Sequence, residues 1–208
     1  MTLAEMLAHA TELAPRDARL LLAHAAGVEP FRLSMLDGFD AEVEAQFIAM
    51  IKRRVAGEPV SHILGYREFY ESRFIVTADV LDPRPETEEL VRLALAEPFS
   101  TLLDLGAGSG AIGLSLLKAR PDTQGTLTDL SPAALNVVAR NAAALEVESR
   151  CTLVQSDWFA NVTGRFDLIV SNPPYIAADE MPALQRELAH EPRMALTDEA
   201  DGLTAYRV

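Results

Sequence analysis

The sequence predicts an α/β protein: an N-terminal helical bundle, a linking β-hairpin and then a doubly wound parallel sheet. Three observations predict it. From Ser100 onward short apolar runs alternate with helical patterns, as parallel strands joined by crossovers require. The first of these runs ends in a tight glycine turn, Gly106-Ala107-Gly108-Ser109-Gly110, that opens a helix. The first ~60 residues carry only helical periodicity. At 208 residues and 49% apolar content, the chain suits one large or two small domains with ample core.

Taken in order, Thr2-Leu3-Ala4-Glu5 is a capping box, and Leu3, Met6, Leu7, Ala10 and Leu13 predict a helix to about Ala14. Pro15 opens a second helix carrying Leu20, Leu21 and Leu22, which Gly27 can stop. A short third element is expected over Phe31–Leu36. Asp40 then caps a helix with Val43, Phe47, Met50, Ile51 and Val55 on one face, ended by Gly57-Glu58-Pro59. Residues 1–60 thus form a bundle too small to be robust alone, suited to docking a substrate.

Over 61–82 the period changes. Arg67–Tyr70 and Phe74–Val76 are aromatic and β-branched, with Glu71-Ser72-Arg73 between them, which reads as a β-hairpin linker. The third region, 83–208, opens on Pro83-Arg84-Pro85-Glu86-Thr87-Glu88, whose prolines stiffen an extended entry and whose acids suit the first turn of a helix to about Glu97; the functional reading sets the same stretch against a bound cofactor. Strands are expected at Thr101–Leu105, Gln124–Asp129, Cys151–Gln155 and Phe166–Ser171. Helices are expected over Ala111–Ala119 and, capped by Ser131 with Pro132 at its first position, to about Leu145.

Bulk properties exclude several functions. The net charge of −13 divides unevenly, −3 over residues 1–75 and −10 over the rest, so neither part has the basic footprint of a nucleic-acid binder. Lys52-Arg53-Arg54 reads as cationic residues at a helix C-terminus. No apolar run is long enough to span a membrane, and the acidic N-terminus does not read as a signal peptide, so a cytoplasmic location is expected. Cys151, the single cysteine, reads as a small buried hydrophobe, and His9, His24, His62 and His190 lack metal-ligand spacing.

The chemistry concentrates at strand ends. The run Phe166–Val170 stops abruptly in Ser171-Asn172-Pro173-Pro174-Tyr175, because proline cannot donate to a ladder and restricts the residue before it. Asn172 is thereby held at the carboxyl end of a strand, where open parallel sheets bind ligands. Its side-chain oxygen and an adjacent backbone carbonyl can accept both hydrogen bonds of one NH2 group, and the Tyr175 ring can pack on that group's flat face. Standing alone, the run reads more simply as a Pro-Pro turn that ends a strand. The glycine loop is also ambiguous: Gly108–Gly113 fits G-x-G-x-x-G, and Asp129 at the next strand end can take ribose hydroxyls in a dinucleotide or a nucleoside. Asp104 before the loop and Asp157-Trp158 after the third strand complete the set. A carboxylate near the loop suits a ligand with an amino group and a sulfonium better than a pyrophosphate. S-adenosyl-L-methionine is such a ligand, whereas hydride transfer to a nicotinamide gives Asn172-Pro173-Pro174-Tyr175 no role.

On these residues the sequence resembles the Rossmann-like class I methyltransferases, and more closely the protein-(glutamine-N5) methyltransferases that modify peptide chain release factors. The resemblance runs through Pro59–Gly65, Arg67-Glu68-Phe69, Pro83–Glu88, Asp104–Gly110, Gln155–Phe159, Ser171–Ile176 and Glu191-Pro192-Arg193-Met194-Ala195-Leu196. The Asn-Pro-Pro-Tyr run alone is shared with DNA adenine methyltransferases; its conjunction with Pro-Arg-Pro-Glu-Thr-Glu and a helical bundle is specific. The resemblance implies methylation of the side-chain amide of the glutamine in a release factor's Gly-Gly-Gln, leaving S-adenosyl-L-homocysteine. By position it implies that Gly106, Ala107, Gly108, Ser109 and Gly110 hold the methionine part of the cofactor, Asp129 its ribose and Trp158 its adenine, with Asp104, Asp157 and Asn172 in the same set. Asn172, Pro173, Pro174 and Tyr175 would hold the glutamine, and Asn172, Pro173 and Tyr175 would act in the transfer. A monomer is expected, with a release factor as partner and neither metal, nucleic acid nor membrane. The family usually has Asp where this chain has Glu86. Class I methyltransferases have further strands beyond Val208, so the last strands are expected to be missing and the fourth strand to lie at an edge. Two alternatives stay open: a methyltransferase acting on a nucleobase amino group, against which the acidic charge argues, and a truncated, non-catalytic binder of a translation factor.

Overall fold

A computed structural model describes residues 1–184 and 186–208. The chain divides into two compact units, Met1–Gly65 and Tyr66–Val208. None of the described helices is long and apolar enough to cross a membrane.

The first unit is helical: α1 (Leu3–Ala8), α2 (Pro15–Ala25), a 3-10 turn (Pro30–Met35), α3 (Ala41–Val55) and α4 (Val60–Leu64). The capping box forms, with Thr2 and Glu5 satisfying each other's backbone N–H, and Asp40 accepts from Glu42 and Val43 at the start of α3. Met6, Leu21, Leu22, Leu33 and Phe47 are fully enclosed in its core. Three expectations differ. The first helix ends at Ala8 rather than Ala14, because its hydrogen bonds tighten to the three-residue pattern at His9, Ala10 and Leu13 ahead of Pro15. Val55, expected on the buried face of α3, is half exposed in the last turn, and Phe47 and Ile51 carry that face instead. Residues 61–64, expected to begin the hairpin linker, belong to the helix Val60–Leu64: Pro59 sets the entry, Ile63 turns inward and Gly65 stops the helix in the left-handed region at φ 79°.

The second unit begins with the antiparallel hairpin β1 (Tyr66–Phe69) and β2 (Ser72–Ile75), turned at Tyr70 and Glu71. After the extended Leu81–Arg84 stretch come α5 (Glu88–Ala96), β3 (Thr101–Leu105), α6 (Ala111–Ala119), β4 (Gln124–Asp129), α7 (Pro132–Ala144), β5 (Cys151–Gln155), β6 (Leu168–Ser171) and a short α8 (Arg193–Leu196). The four sheet strands are parallel in the order β5-β4-β3-β6. The chain thus winds outward from β3 to β5 and then returns to the other side of β3, placing a topological switch point between β3 and β6. As expected, β6 is an edge strand, and Ile169 on it is half exposed.

Packing explains why α6 carries a glycine in its first turn. A Cβ at Gly113 would lie 2.8 Å from Asp104 Oδ2 and 3.0 Å from Leu127, so only glycine lets this turn press onto the sheet. The glycine costs about 1 kcal/mol in helix propensity. The enclosed Leu114, Leu116 and Leu117 of the same helix each contribute roughly 2 kcal/mol, and the helix is stable despite it.

Candidate active site

The strand register brings four loops to one edge of the sheet. Leu105 lies beside both Thr128 and Ser171, and Asp129 beside Gln155, so the segments that follow β3, β4, β5 and β6 emerge together. They line one cleft: Gly106, Ala107, Gly108 and Ser109; Asp129, Leu130 and Ser131; Ser156, Asp157 and Trp158; Asn172, Pro173 and Pro174.

At one end of the cleft the glycine loop is held from below. The Gly108 N–H donates to Asp129 Oδ2 at 2.9 Å, the Ala107 N–H to the Thr128 carbonyl at 2.8 Å and the Gly110 N–H to the Ala107 carbonyl at 2.7 Å. Gly108 sits at φ +57° and a Cβ there would meet nothing within 4 Å, so the space above it is open. Gly110, by contrast, is the N-cap of α6 and packs inward, where a Cβ would lie 2.8 Å from Leu114 Cδ1. Asn141 of α7 is wholly buried and ties this end together: its side chain donates to the carbonyls of Ser109 and Ile75 and accepts from the Ile75 N–H. Asn141 belongs to no motif, and its one signal in the sequence is a polar residue on the apolar stripe of α7.

Asp104 lies beneath the loop, not in the cleft lining. Its Oδ2 accepts from the Gly113 N–H at 2.9 Å, while Oδ1 is buried with no hydrogen-bond partner. Burial pushes its carboxyl up to about 7; the Gly113 N–H opposes this, and the charge of Asp129 adds to it. Asp129 uses Oδ2 for Gly108 and Oδ1 for the Ser131 N–H, and each oxygen keeps a further lone pair for a ligand hydroxyl. Trp158 adopts φ +48°, a left-handed conformation unusual for a bulky residue. The Ser156 hydroxyl stabilises that turn by donating to the Trp158 carbonyl at 2.7 Å and accepting from the Asn161 N–H at 3.0 Å.

At the other end, Asn172 follows β6, which Ser171 anchors by donating its hydroxyl to the Leu105 carbonyl at 2.8 Å. Tyr175 stands outside the lining and is 60% exposed. Two further stretches that carried the family resemblance also line the cleft, as Pro83, Arg84 and Thr87 and as Pro192, Met194 and Ala195. Phe69, read as a strand residue and as part of the resemblance, lines it too. Thus Gly106, Ala107, Gly108, Ser109, Asp129, Asp157, Trp158, Asn172, Pro173 and Pro174 converge, whereas Asp104, Gly110 and Tyr175 do not face the cavity.

Charge and hydrogen bonding discriminate between ligands. The lining holds Asp79, Asp129 and Asp157 against Arg84, and Arg84 is committed to Glu191, so the cleft favours a cation. The loop N–H groups of Ala107, Gly108 and Gly110 are consumed within the protein, which leaves them unable to cradle a pyrophosphate. A nucleoside carrying a sulfonium and an ammonium group fits this donor set.

Comparison with known proteins agrees. Residues 78–201 match the model of the methyltransferase small domain, and residues 2–65 that of the PrmC N-terminal domain. The chain is 57% identical over 197 residues to a release factor glutamine methyltransferase of Cereibacter sphaeroides, an alignment covering 93% of this chain and 71% of that one. The chain belongs to the release factor glutamine methyltransferase family. Another relative of that name, from Rhodospirillum rubrum, is 47% identical over 201 residues, covering 93% of this chain and 61% of its own length. The chain therefore spans roughly two thirds of these relatives. Among solved structures, the catalytic domain of hMettl16 shares the fold, with TM-score 0.54 and 13% identity over 64% of this chain and 53% of that one. Membership makes the chain an S-adenosylmethionine-dependent methyltransferase, as the sequence resemblance implied.

Proposed function

We propose that the chain transfers the methyl group of S-adenosylmethionine to the side-chain amide nitrogen of a release-factor glutamine, the one in the Gly-Gly-Gln tripeptide. The observation that carries this reading is the meeting of Asn172-Pro173-Pro174 with the glycine loop and Asp129 in a single cleft. The cofactor, when bound, supplies a methyl group already activated on a cationic sulfur.

The protein's part is orientation. An amide nitrogen is a poor nucleophile because its lone pair is delocalised into the carbonyl. Asn172 Oδ1 and the Pro173 carbonyl accept hydrogen bonds from its two N–H groups, fix its direction and stabilise positive charge developing on nitrogen; the N–C bond forms as the methyl's S–C bond breaks, leaving S-adenosyl-L-homocysteine, and the surplus N–H proton leaves to solvent. Gly106, Ala107, Gly108 and Ser109 back the methionine part of the cofactor, Asp129 takes the ribose hydroxyls and Trp158 faces the adenine, with Asp157 beside it. Asp104 and Gly110 serve from beneath, by fixing α6 against the loop. Tyr175, exposed at the rim, packs on the arriving peptide. The Met1–Gly65 unit docks the release factor, the protein works as a monomer in the cytoplasm, and neither metal nor nucleic acid takes part.

The test is label transfer from S-adenosylmethionine to a bacterial release factor, beside a copy whose Gly-Gly-Gln glutamine is replaced by alanine. Label on that glutamine alone, located by mass spectrometry, is the expected result. Equal labelling of both copies would refute the site, and label on nucleic acid instead would refute the substrate class.

A further inference from the structure

The cleft's acceptor end contains an ion pair between residues 107 positions apart. Arg84 Nη2 donates to both carboxylate oxygens of Glu191, at 2.8 and 2.7 Å. Both sides of the pair are built to stay in place. Arg84 sits between Pro83 and Pro85, so its backbone is stiff in both directions. Glu191 is 7% exposed, and a carboxylate so enclosed requires its partner. Asp82, also buried, lies 3.9 Å from Arg84 Nη1 and 3.6 Å from Arg67 Nη1, so two arginines and two carboxylates form one network.

From Glu191 the chain runs directly into the cleft wall. Pro192, Met194 and Ala195 line the cavity, the Leu196 carbonyl accepts the Ile176 N–H at 3.1 Å, and Thr197 pairs with Ile176 in a parallel bridge. Gly202, at φ +76°, lets the same C-terminal stretch pack against the Tyr175 carbonyl, where a Cβ would collide. Thus the exit of the Asn172-Pro173-Pro174-Tyr175 loop is fastened to the Glu191–Thr197 segment, and that segment is fastened to Arg84.

We infer that Arg84 is a positioning residue for methyl transfer: its ion pair with Glu191 braces the loop that carries Asn172 and so sets where the acceptor amide is held. The inference rests on the acceptor role given to Asn172 above. Arg84 acts here through Glu191 and the Ile176 hydrogen bond. A lysine would keep the charge without the planar fork that spans two carboxylates, and would preserve only part of the effect.

The experiment compares Arg84→Gln, Arg84→Lys, Glu191→Gln and Asn172→Ala in the full chain with three readouts. These are amide hydrogen exchange at Ile176, cofactor titration followed by the fluorescence of Trp158, the sole tryptophan, and turnover of a release factor. Arg84→Gln and Glu191→Gln are expected to speed exchange at Ile176 about tenfold or more and to lower kcat by a similar factor. Protection of Leu103 and Leu105 and the cofactor affinity should hold, with Arg84→Lys intermediate. Unchanged protection of Ile176 in both charge-removing variants would overturn the brace. Loss of cofactor affinity in parallel with turnover would overturn it as well, by giving Arg84 a direct part in cofactor binding. Full turnover in Asn172→Ala would overturn the acceptor reading and with it the purpose of the brace, and the Ile176 exchange would show separately whether the fastening itself exists.

Discussion

The two ends of the cleft are built by opposite means. The glycine-loop end is local: β3, the turn and α6 are contiguous, and Asp129 closes the loop from the next strand along. The acceptor end is assembled from three separated stretches, Asp82–Thr87, Asn172–Ile176 and Glu191–Thr197, joined through the Arg84–Glu191 ion pair and the pairing of Ile176 with the Leu196–Thr197 backbone. The difference teaches where damage will show. Changes at the loop end should register first as altered stability and cofactor affinity, and changes at the acceptor end as altered turnover in a protein that still folds and binds cofactor.

The largest expected effect separates the two ends most sharply. Asn172→Ala should lower kcat by about a hundredfold or more, the scale for removing one preorganised charge-stabilising group, while leaving cofactor binding nearly unchanged. Steady-state kinetics beside a Trp158 fluorescence titration would check this, and a parallel loss of cofactor affinity would break the comparison. Next in size is Gly110→Ala. The residue sits at φ +79° and its new Cβ would lie within 3.0 Å of both Leu114 and Val138, so strain and overpacking together should destabilise the fold by about 3 kcal/mol. Chemical denaturation of the two proteins would measure it.

The smallest effect, taken over a single pH unit, is a pH dependence at the loop end. Asp104 has its carboxyl raised in the folded state to about 7 from 3.8, chiefly by burial, so between those values the folded protein holds a proton that the unfolded chain has released. That contribution to stability is complete below about 3.8 and is lost as pH rises through about 7. The slope for one proton is at most about 1.4 kcal/mol per pH unit. Asp104→Asn, which keeps an oxygen for the Gly113 N–H, should flatten this limb of the melting-temperature profile; an unchanged slope would mean the carboxyl is not the titrating group. The opposite sign belongs to Asp167, whose four hydrogen bonds from Ser100 and Thr101 hold its carboxyl down at about 2 and whose contribution is lost as pH falls below about 3.8.

The same contrast explains how far the residues could be read directly. Strand, glycine turn and helix at the loop end follow from period and turn chemistry, which are local properties, and β3, α6 and β4 fall where the pattern places them. Asn172 was recognisable because two prolines ended an apolar run. The link between the stretches that hold Arg84 and Glu191 was not readable, since what joins them is an ion pair across 107 positions that no local pattern encodes. The helical Val60–Leu64 segment was missed because five residues carry too little period to tell helix from strand, and burial of Ile63 decided it.

From the residues alone follow the parallel sheet, the glycine loop, the acidic cleft residues and the strand-end asparagine, because each depends on side chains close together along the chain. Tertiary packing decided the rest. It turned Asp104 and Gly110 beneath the loop rather than into the cavity, spent the loop N–H groups on Asp129 and neighbouring carbonyls, and left Tyr175 at the rim. It also fastened the acceptor loop to Arg84 through Glu191. Which lone pairs remain for a ligand depends on which neighbours have already taken the others, and those neighbours meet only when the sheet is assembled.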